Sequence, residues 1–163
     1  MGDAVLAPGH SRQLLTPLTA ISLTLSAAHD PASYYRTRSG LYVWESFVSD
    51  VVANAKPMMA GATFTVNVAE LKSDATDAEI EAALPKTHLF DDSAVCAIVA
   101  EMIEKQPEGK SGDLDNTGRA NLFYTAGRIA RVYWHGVDRQ WDMRAWHRGL
   151  GWDAGARVLC PGS

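Results

Sequence analysis

The segment RVYWHGVDRQWDMRAWHRGLGW, residues 131–152, constrains this chain more than any other, because it holds four of the five tryptophans and alternates with a period of two. Successive side chains of an extended strand point to opposite faces, so this pattern predicts half-buried β-structure. Short strands are expected at Asn121–Thr125, Ile129–His135, Trp141–His147 and Ala156–Cys160, with turns at Ala126-Gly127, Gly136–Arg139 and Gly149–Gly155 between them. The expected arrangement is an antiparallel meander over residues 120–160.

A two- or four-residue loop at Gly136–Arg139 fixes the hairpin register. It sets Trp134 opposite Trp141, Val132 opposite Met143 and Ala130 opposite Ala145 on a core face. The other face then collects Ile129, Arg131, Tyr133, Asp142, Arg144 and Trp146. His135 faces Gln140 and His147 faces Arg128, too far apart along the ribbon to share a metal.

Upstream the period changes more than once. Residues 1–17 hold Pro8, Gly9 and Pro17 without periodicity and are expected to form an extended arm before a single domain over residues 18–163. Thr19–Ala27 and Ala62–Glu70 alternate like strands with one wet face. Leu41–Ala55 carries Trp44, Phe47, Val48, Val51 and Val52 at helical spacing and predicts an amphipathic helix ended by Lys56-Pro57. Thr76 and Glu79 have capping-box spacing for a short helix over Asp77–Leu84. Asp91 or Asp92 caps a longer helix with Val95, Ile98, Val99, Met102 and Ile103 in one stripe, and Glu101 and Lys105 on its wet side. The class read from this order is α+β: one domain with a mainly antiparallel sheet and about three helices packed on one face.

The decapeptide GKSGDLDNTG, residues 109–118, imitates two binding loops and satisfies neither. A phosphate loop needs a glycine where Glu104 stands, with a strand before it and a helix after it. A calcium loop is matched at Asp113, Asp115, Thr117 and Gly118, but needs a bidentate carboxylate where Tyr124 stands. Turn-forming residues joining a helix to a strand explain the segment.

Charge is uneven: residues 1–118 carry a net −8, residues 119–163 a net +4, and the whole chain −4. An acidic total argues against a polyanion-binding domain while leaving the basic end available to an acidic partner. Cys96 and Cys160 are too few for a disulfide scaffold and lack metal or redox spacing, which suits free thiols in a reducing, cytoplasmic setting. The stretch Leu14–Ala28 is too rich in Ser and Thr for a convincing leader, and no apolar run approaches a membrane span. No cofactor and no metal is expected, since the five histidines show no ligand pairing.

Arginine above an aromatic ring is a common recognition device, and Arg, Tyr and Trp dominate interface hot spots. The sequence therefore points to a small, soluble, non-catalytic interaction protein, a regulator, adaptor or inhibitor. It would bind an acidic or mixed protein surface through Arg131, Tyr133, Arg144 and Trp146, with no catalytic residue assigned. Single-stranded nucleic acid on the same face is one alternative. An enzyme assembled from distant His and Asp residues, such as His29 with Asp30 or His88 with Asp91 and Asp92, is the other.

Overall fold

The computed structural model describes residues 13–162. Residues 1–12 of the expected arm lie outside that range. Residues 15–17 belong to the first strand, β1 (Leu15–Thr24). Pro17 is tolerated there because β1 is an edge strand among the described residues, and the register shifts between Pro17 and Thr19.

The order continues with helix α1 (Pro31–Tyr34), strand β2 (Leu41–Val43), helix α2 (Glu45–Asp50) and a 3-10 turn at Val52–Asn54. Strands β3 (Thr63–Leu71) and β4 (Ala75–Thr76) lead into helices α3 (Asp77–Ala83) and α4 (Asp92–Lys105). The last third holds β5 (Asn121–Tyr124), β6 (Ile129–His135), β7 (Gln140–Trp146), β8 (Gly151–Trp152) and β9 (Arg157–Pro161). The class is mixed α+β with a large, mostly antiparallel sheet. Its seven strands run β1-β3-β9-β5-β6-β7-β2, and β4 pairs with β8 in a separate ribbon.

Two expectations about this order are corrected. The meander has three strands, β5-β6-β7; β9 does not follow as the fourth but inserts between β3 and β5, antiparallel to one and parallel to the other. Val158, Leu159 and Cys160 are all buried, as befits a strand covered on both faces. The helix expected over Leu41–Ala55 is instead a three-residue strand, a short helix and a 3-10 turn. The free edge of β7 offers its backbone groups to β2, and this pairing overrides local helical spacing. Trp44 continues it by donating its backbone amide to Met143 at 3.0 Å.

Packing occurs on both sides of the sheet. Leu159, Phe123, Val132, Trp134 and Trp141 join α4 in the main cluster, and Leu122, Tyr124 and Val158 join Ile80 of α3 in the second. Ile80 therefore packs on the face opposite α4, not beside it. The capping box of Thr76 and Glu79 is present in both directions, and Asp91 caps α4 by accepting from the Ala94 amide at 2.8 Å. Such a cap contributes about 1 kcal/mol. Residues 94–103 of α4 are buried all round, so Glu101 is not on a wet face; it accepts from the Ser26 amide and hydroxyl at 3.3 Å.

The decapeptide is a connection. The Gln106 side chain donates to the carbonyls of Lys110 and Leu114 and accepts from the Leu114 amide, which fixes the loop. Asp115 spends its carboxylate on the amides of Thr117 and Arg119 and the Thr117 hydroxyl. Among the described residues no cluster of three His, Cys, Asp or Glu is placed to hold a metal ion, and no helix is long and apolar enough to cross a membrane.

Candidate functional site

In the β6-β7 hairpin Ile129 faces Trp146, Arg131 faces Arg144, Tyr133 faces Asp142 and Trp134 faces Trp141, which is the register expected from the loop length. The pleat sends Trp134, Trp141, Val132 and Met143 into the main core. It leaves Arg131, Tyr133, Arg144 and Trp146 half-buried together on the opposite face.

Strand β2 and the residue that follows it add two rings that the helical reading of Leu41–Ala55 concealed. Tyr42 lies beside Asp142 in the parallel pairing, and Trp44 follows one turn of the pleat later. The result is a ladder across three strands: Tyr133, Arg131, Trp146, Arg144, Trp44, Tyr42. The guanidinium carbon of Arg131 lies 4.4 Å from the centre of the Tyr133 ring and 5.6 Å from that of Trp146. Arg144 lies 3.8 Å from Trp146 and 4.5 Å from Trp44, and Tyr42 meets Trp44 edge-on at 5.3 Å. Opposed arginines in a sheet repel unless something separates them. Here interleaved rings and a carboxylate do so.

That carboxylate is Asp142, only 4% exposed. It accepts from the Trp44 indole Nε1 at 2.8 Å and lies 3.6 Å from Nη2 of Arg131. Burial raises the Asp142 carboxyl above its ordinary value even against the pull of Trp44 and Arg131. Burial likewise lowers Arg131, with Tyr133 and Asp142 opposing. Desolvation leads on both partners, so this pair does not offset the cost of its own burial. Nε of Arg131 and Nε1 of Trp146 are buried without a hydrogen-bond partner among the described residues.

Arg144 differs. Among the described residues its guanidinium makes no hydrogen bond and no ion pair; two indoles hold the plane and all five N–H donors remain uncommitted. Beside the ladder a cleft of about 450 Å³ opens between Arg119, Arg131, Tyr133, Trp152 and Asp153. Small-molecule sites occupy roughly 300–1,000 Å³.

The other constellations read differently once folded. His88 pairs with Glu81 at 2.7 Å rather than with Asp91 or Asp92, and Arg148 holds the same carboxylate at 2.7 Å. His29 does not pair with Asp30, whose carboxylate accepts from the Ser33 hydroxyl. Asp77 is buried and accepts four hydrogen bonds, from the Tyr124 hydroxyl, the Trp152 indole and the amides of Gly149 and Leu150, at 2.7 to 2.9 Å. It clamps the segment before β8 onto α3 and has no lone pair left for chemistry. A groove of about 830 Å³ between β1 and the end of α3 is lined by Leu14, Leu15, Leu18, Leu84 and Cys160, with no acid or cation among the described residues that line it. Comparison with protein-family models, with curated proteins and with solved structures finds no match in any of the three.

Proposed function

We propose that the chain is a small non-catalytic interaction module, a regulator, adaptor or inhibitor, whose Arg/aromatic face receives a carboxylate-bearing surface of a protein partner. The observation that carries this reading is Arg144, clamped between Trp44 and Trp146 with its donors unspent. A guanidinium fixed in this way loses little entropy on binding, and its planar fork matches a carboxylate bidentately. Arg131 and Asp142 support it from below: the pair costs stability rather than adding to it, yet it holds Trp44 and Arg131 in position for the ladder. Two free, buried thiols suit a reducing compartment such as the cytoplasm.

Single-stranded nucleic acid is less well served. Bases need free ring faces, and Tyr133, Trp146 and Trp44 each already hold a guanidinium.

Substituting Arg144→Ala tests the reading, with partner capture from the native host quantified against wild type and a glutamate-rich peptide titrated in parallel. Binding is expected to weaken at least about thirtyfold, the range of an interface hot spot, while the melting temperature moves by only a few degrees. Capture and peptide binding unchanged in Arg144→Ala reject it. A labelled oligonucleotide that binds the wild type with steep salt dependence favours the nucleic-acid alternative instead.

A further inference from the structure

The cleft of about 450 Å³ beside the ladder is built from three separate stretches: residues 118–120 ahead of β5, Arg131 and Tyr133 of β6, and residues 152–156 between the end of β8 and β9. Arg119 is laid across Gly155. A Cβ at Gly155 would meet Cδ, Nε and Cζ of Arg119 at 2.7 to 2.9 Å, and the φ of +97° there favours glycine. The bare backbone thus serves as a bed for the arginine stem, and the Arg119 amide is tied down by the Asp115 carboxylate at 3.0 Å. The head group is left open: among the described residues Arg119 makes no side-chain hydrogen bond and no ion pair. Its planar fork keeps all five donors.

Arg131, in the same lining, is only partly compensated. The Asp142 carboxylate lies 3.6 Å from Nη2, beyond a good hydrogen bond, and is shared with the Trp44 indole. Nε of Arg131 is inside the protein, but 19% of the side chain is exposed, and neither terminal nitrogen makes a hydrogen bond among the described residues. The Tyr133 hydroxyl is unspent in the same sense. Trp152 differs, since its indole N–H donates to Asp77 at 2.7 Å and the ring therefore presents only hydrocarbon to the cleft. Ala120 and Ala156 extend that apolar surface. Asp153, the acid among the described residues of the lining, pairs with neither arginine.

We propose that this cleft binds a small organic monocarboxylate with an apolar, ring-sized body. The carboxylate is received by the fork of Arg119, with Arg131 and the Tyr133 hydroxyl as further donors, and the body lies on the Trp152 ring. Charge chooses between anions: Arg119 and Arg131 against Asp153 leave one net positive charge, and Arg131 is already partly answered by Asp142. A single negative charge fits, whereas a dianionic phosphate monoester brings a second one towards Asp153. The volume is that of roughly fifteen liquid waters, room for a ring bearing a carboxylate. The cleft shares Arg131 and Tyr133 with the ladder but needs neither Arg144 nor Trp146, so it is a small-molecule site additional to the protein-binding face.

Benzoate and cinnamate, titrated into the full chain near neutral pH and low salt, are the probes, with benzyl alcohol as the neutral analogue and phenyl phosphate as the dianion. Calorimetry and the indole N–H resonance of Trp152 are the readouts. Both carboxylates are expected to saturate, to shift Trp152 ahead of the core rings Trp134 and Trp141, and to bind more tightly than phenyl phosphate. Affinity is expected to fall about tenfold or more in Arg119→Ala, the effect of losing charge-assisted hydrogen bonds. Arg144→Ala leaves carboxylate binding intact, so failure of this site and failure of the protein-binding face are read separately. Absence of saturation at millimolar carboxylate, equal binding of benzyl alcohol, tighter binding of phenyl phosphate, or wild-type affinity in Arg119→Ala overturns the proposal. If Arg119→Ala melts far below wild type, Arg119→Gln supplies the same test, because its amide still covers Gly155 but carries no charge, and unchanged affinity there is equally fatal.

Discussion

Replacing Arg131 by alanine distinguishes the arginine that the fold needs from the one it leaves free. The substitution removes the cation nearest to Asp142, 3.6 Å away, and two ring contacts. Breaking a fully buried pair costs about 3–5 kcal/mol. The Arg131 side chain is 19% exposed and the gap is long, which scales the expected loss down to about 2 kcal/mol at neutral pH. For a chain of this size that is a fall of about 4–8 °C in melting temperature. Arg144→Ala loses ring contacts and only a minor charge effect, helpful to Asp142 and adverse to Arg131, and is expected to cost about 1 kcal/mol.

The pH dependence supplies the sharper test. Burial already raises the Asp142 carboxyl in the folded state above its ordinary 3.8. A raised acid favours the fold in its protonated form, so its contribution is present below the unfolded value and lost as pH rises through the folded one. Without Arg131 the carboxyl moves higher still. The deficit of Arg131→Ala is therefore largest at neutral pH and shrinks on acidification, until only the packing loss remains below about pH 4. Urea unfolding followed by tryptophan fluorescence, at steps between these limits, measures it. The double variant Arg131→Ala with Asp142→Asn is expected to recover stability at neutral pH, because the uncompensated charge has gone. A deficit that stays constant with pH, or a double variant no better than the single one, would refute the reasoning.

Asp77→Ala leaves four donors without their acceptor and is expected to cost about 4 kcal/mol in urea unfolding, with Asp77→Asn losing less. Gly109→Ala places a Cβ inside the Trp134 indole at a φ of +73°, so a loss of about 2 kcal/mol or more is expected, with a changed near-ultraviolet circular dichroism signal. Glu81 is held below its ordinary 4.5, chiefly by Arg148. A lowered acid stabilises the fold above its unfolded value and loses that effect as pH falls through the folded one. Melting curves of Glu81→Gln are accordingly expected to decline less steeply in acid than those of the wild type.

Where a single face of a strand pair is buried, the sequence is a good guide to the structure. The alternation through Ile129–His135 and Gln140–Trp146 determines which side chains go inward, and a short loop leaves one register. The caps of α3 and α4 are equally local, since Thr76, Glu79 and Asp91 act within one turn of their own backbone. Partner choice between distant strands is not local. Leu41–Val43 has both a helical and an alternating reading, and only the free edge of β7 decides between them. The decision matters for the ladder, because it brings Tyr42 and Trp44 beside Arg144. An alternation was nevertheless visible: Leu41 and Val43 go inward, Tyr42 and Trp44 outward. For β9, the unbroken apolar run of Val158, Leu159 and Cys160 marks a strand covered on both faces, a signal at odds with the end of a meander. Glu101 departs from the expected wet side for another reason: a helix wrapped on every side along residues 94–103 has no wet stripe there for a charge pair to occupy.

The placement of β9 also sets a timetable. Within the sheet formed by the described residues, β1 and β3 are joined to β5, β6, β7 and β2 only through residues 157–161. A nascent chain leaving the ribosome thus carries two unfinished half-sheets, with β3 and β5 presenting bare edges until those five residues emerge. Closure waits for the pairing of residues 157–161 with residues 66–70, a contact that spans more than half of the chain and the kind of long-range pairing that folds slowly. Synthesis that stalls before residue 157 leaves those edges open to one another in neighbouring molecules, the route by which unpaired strands aggregate.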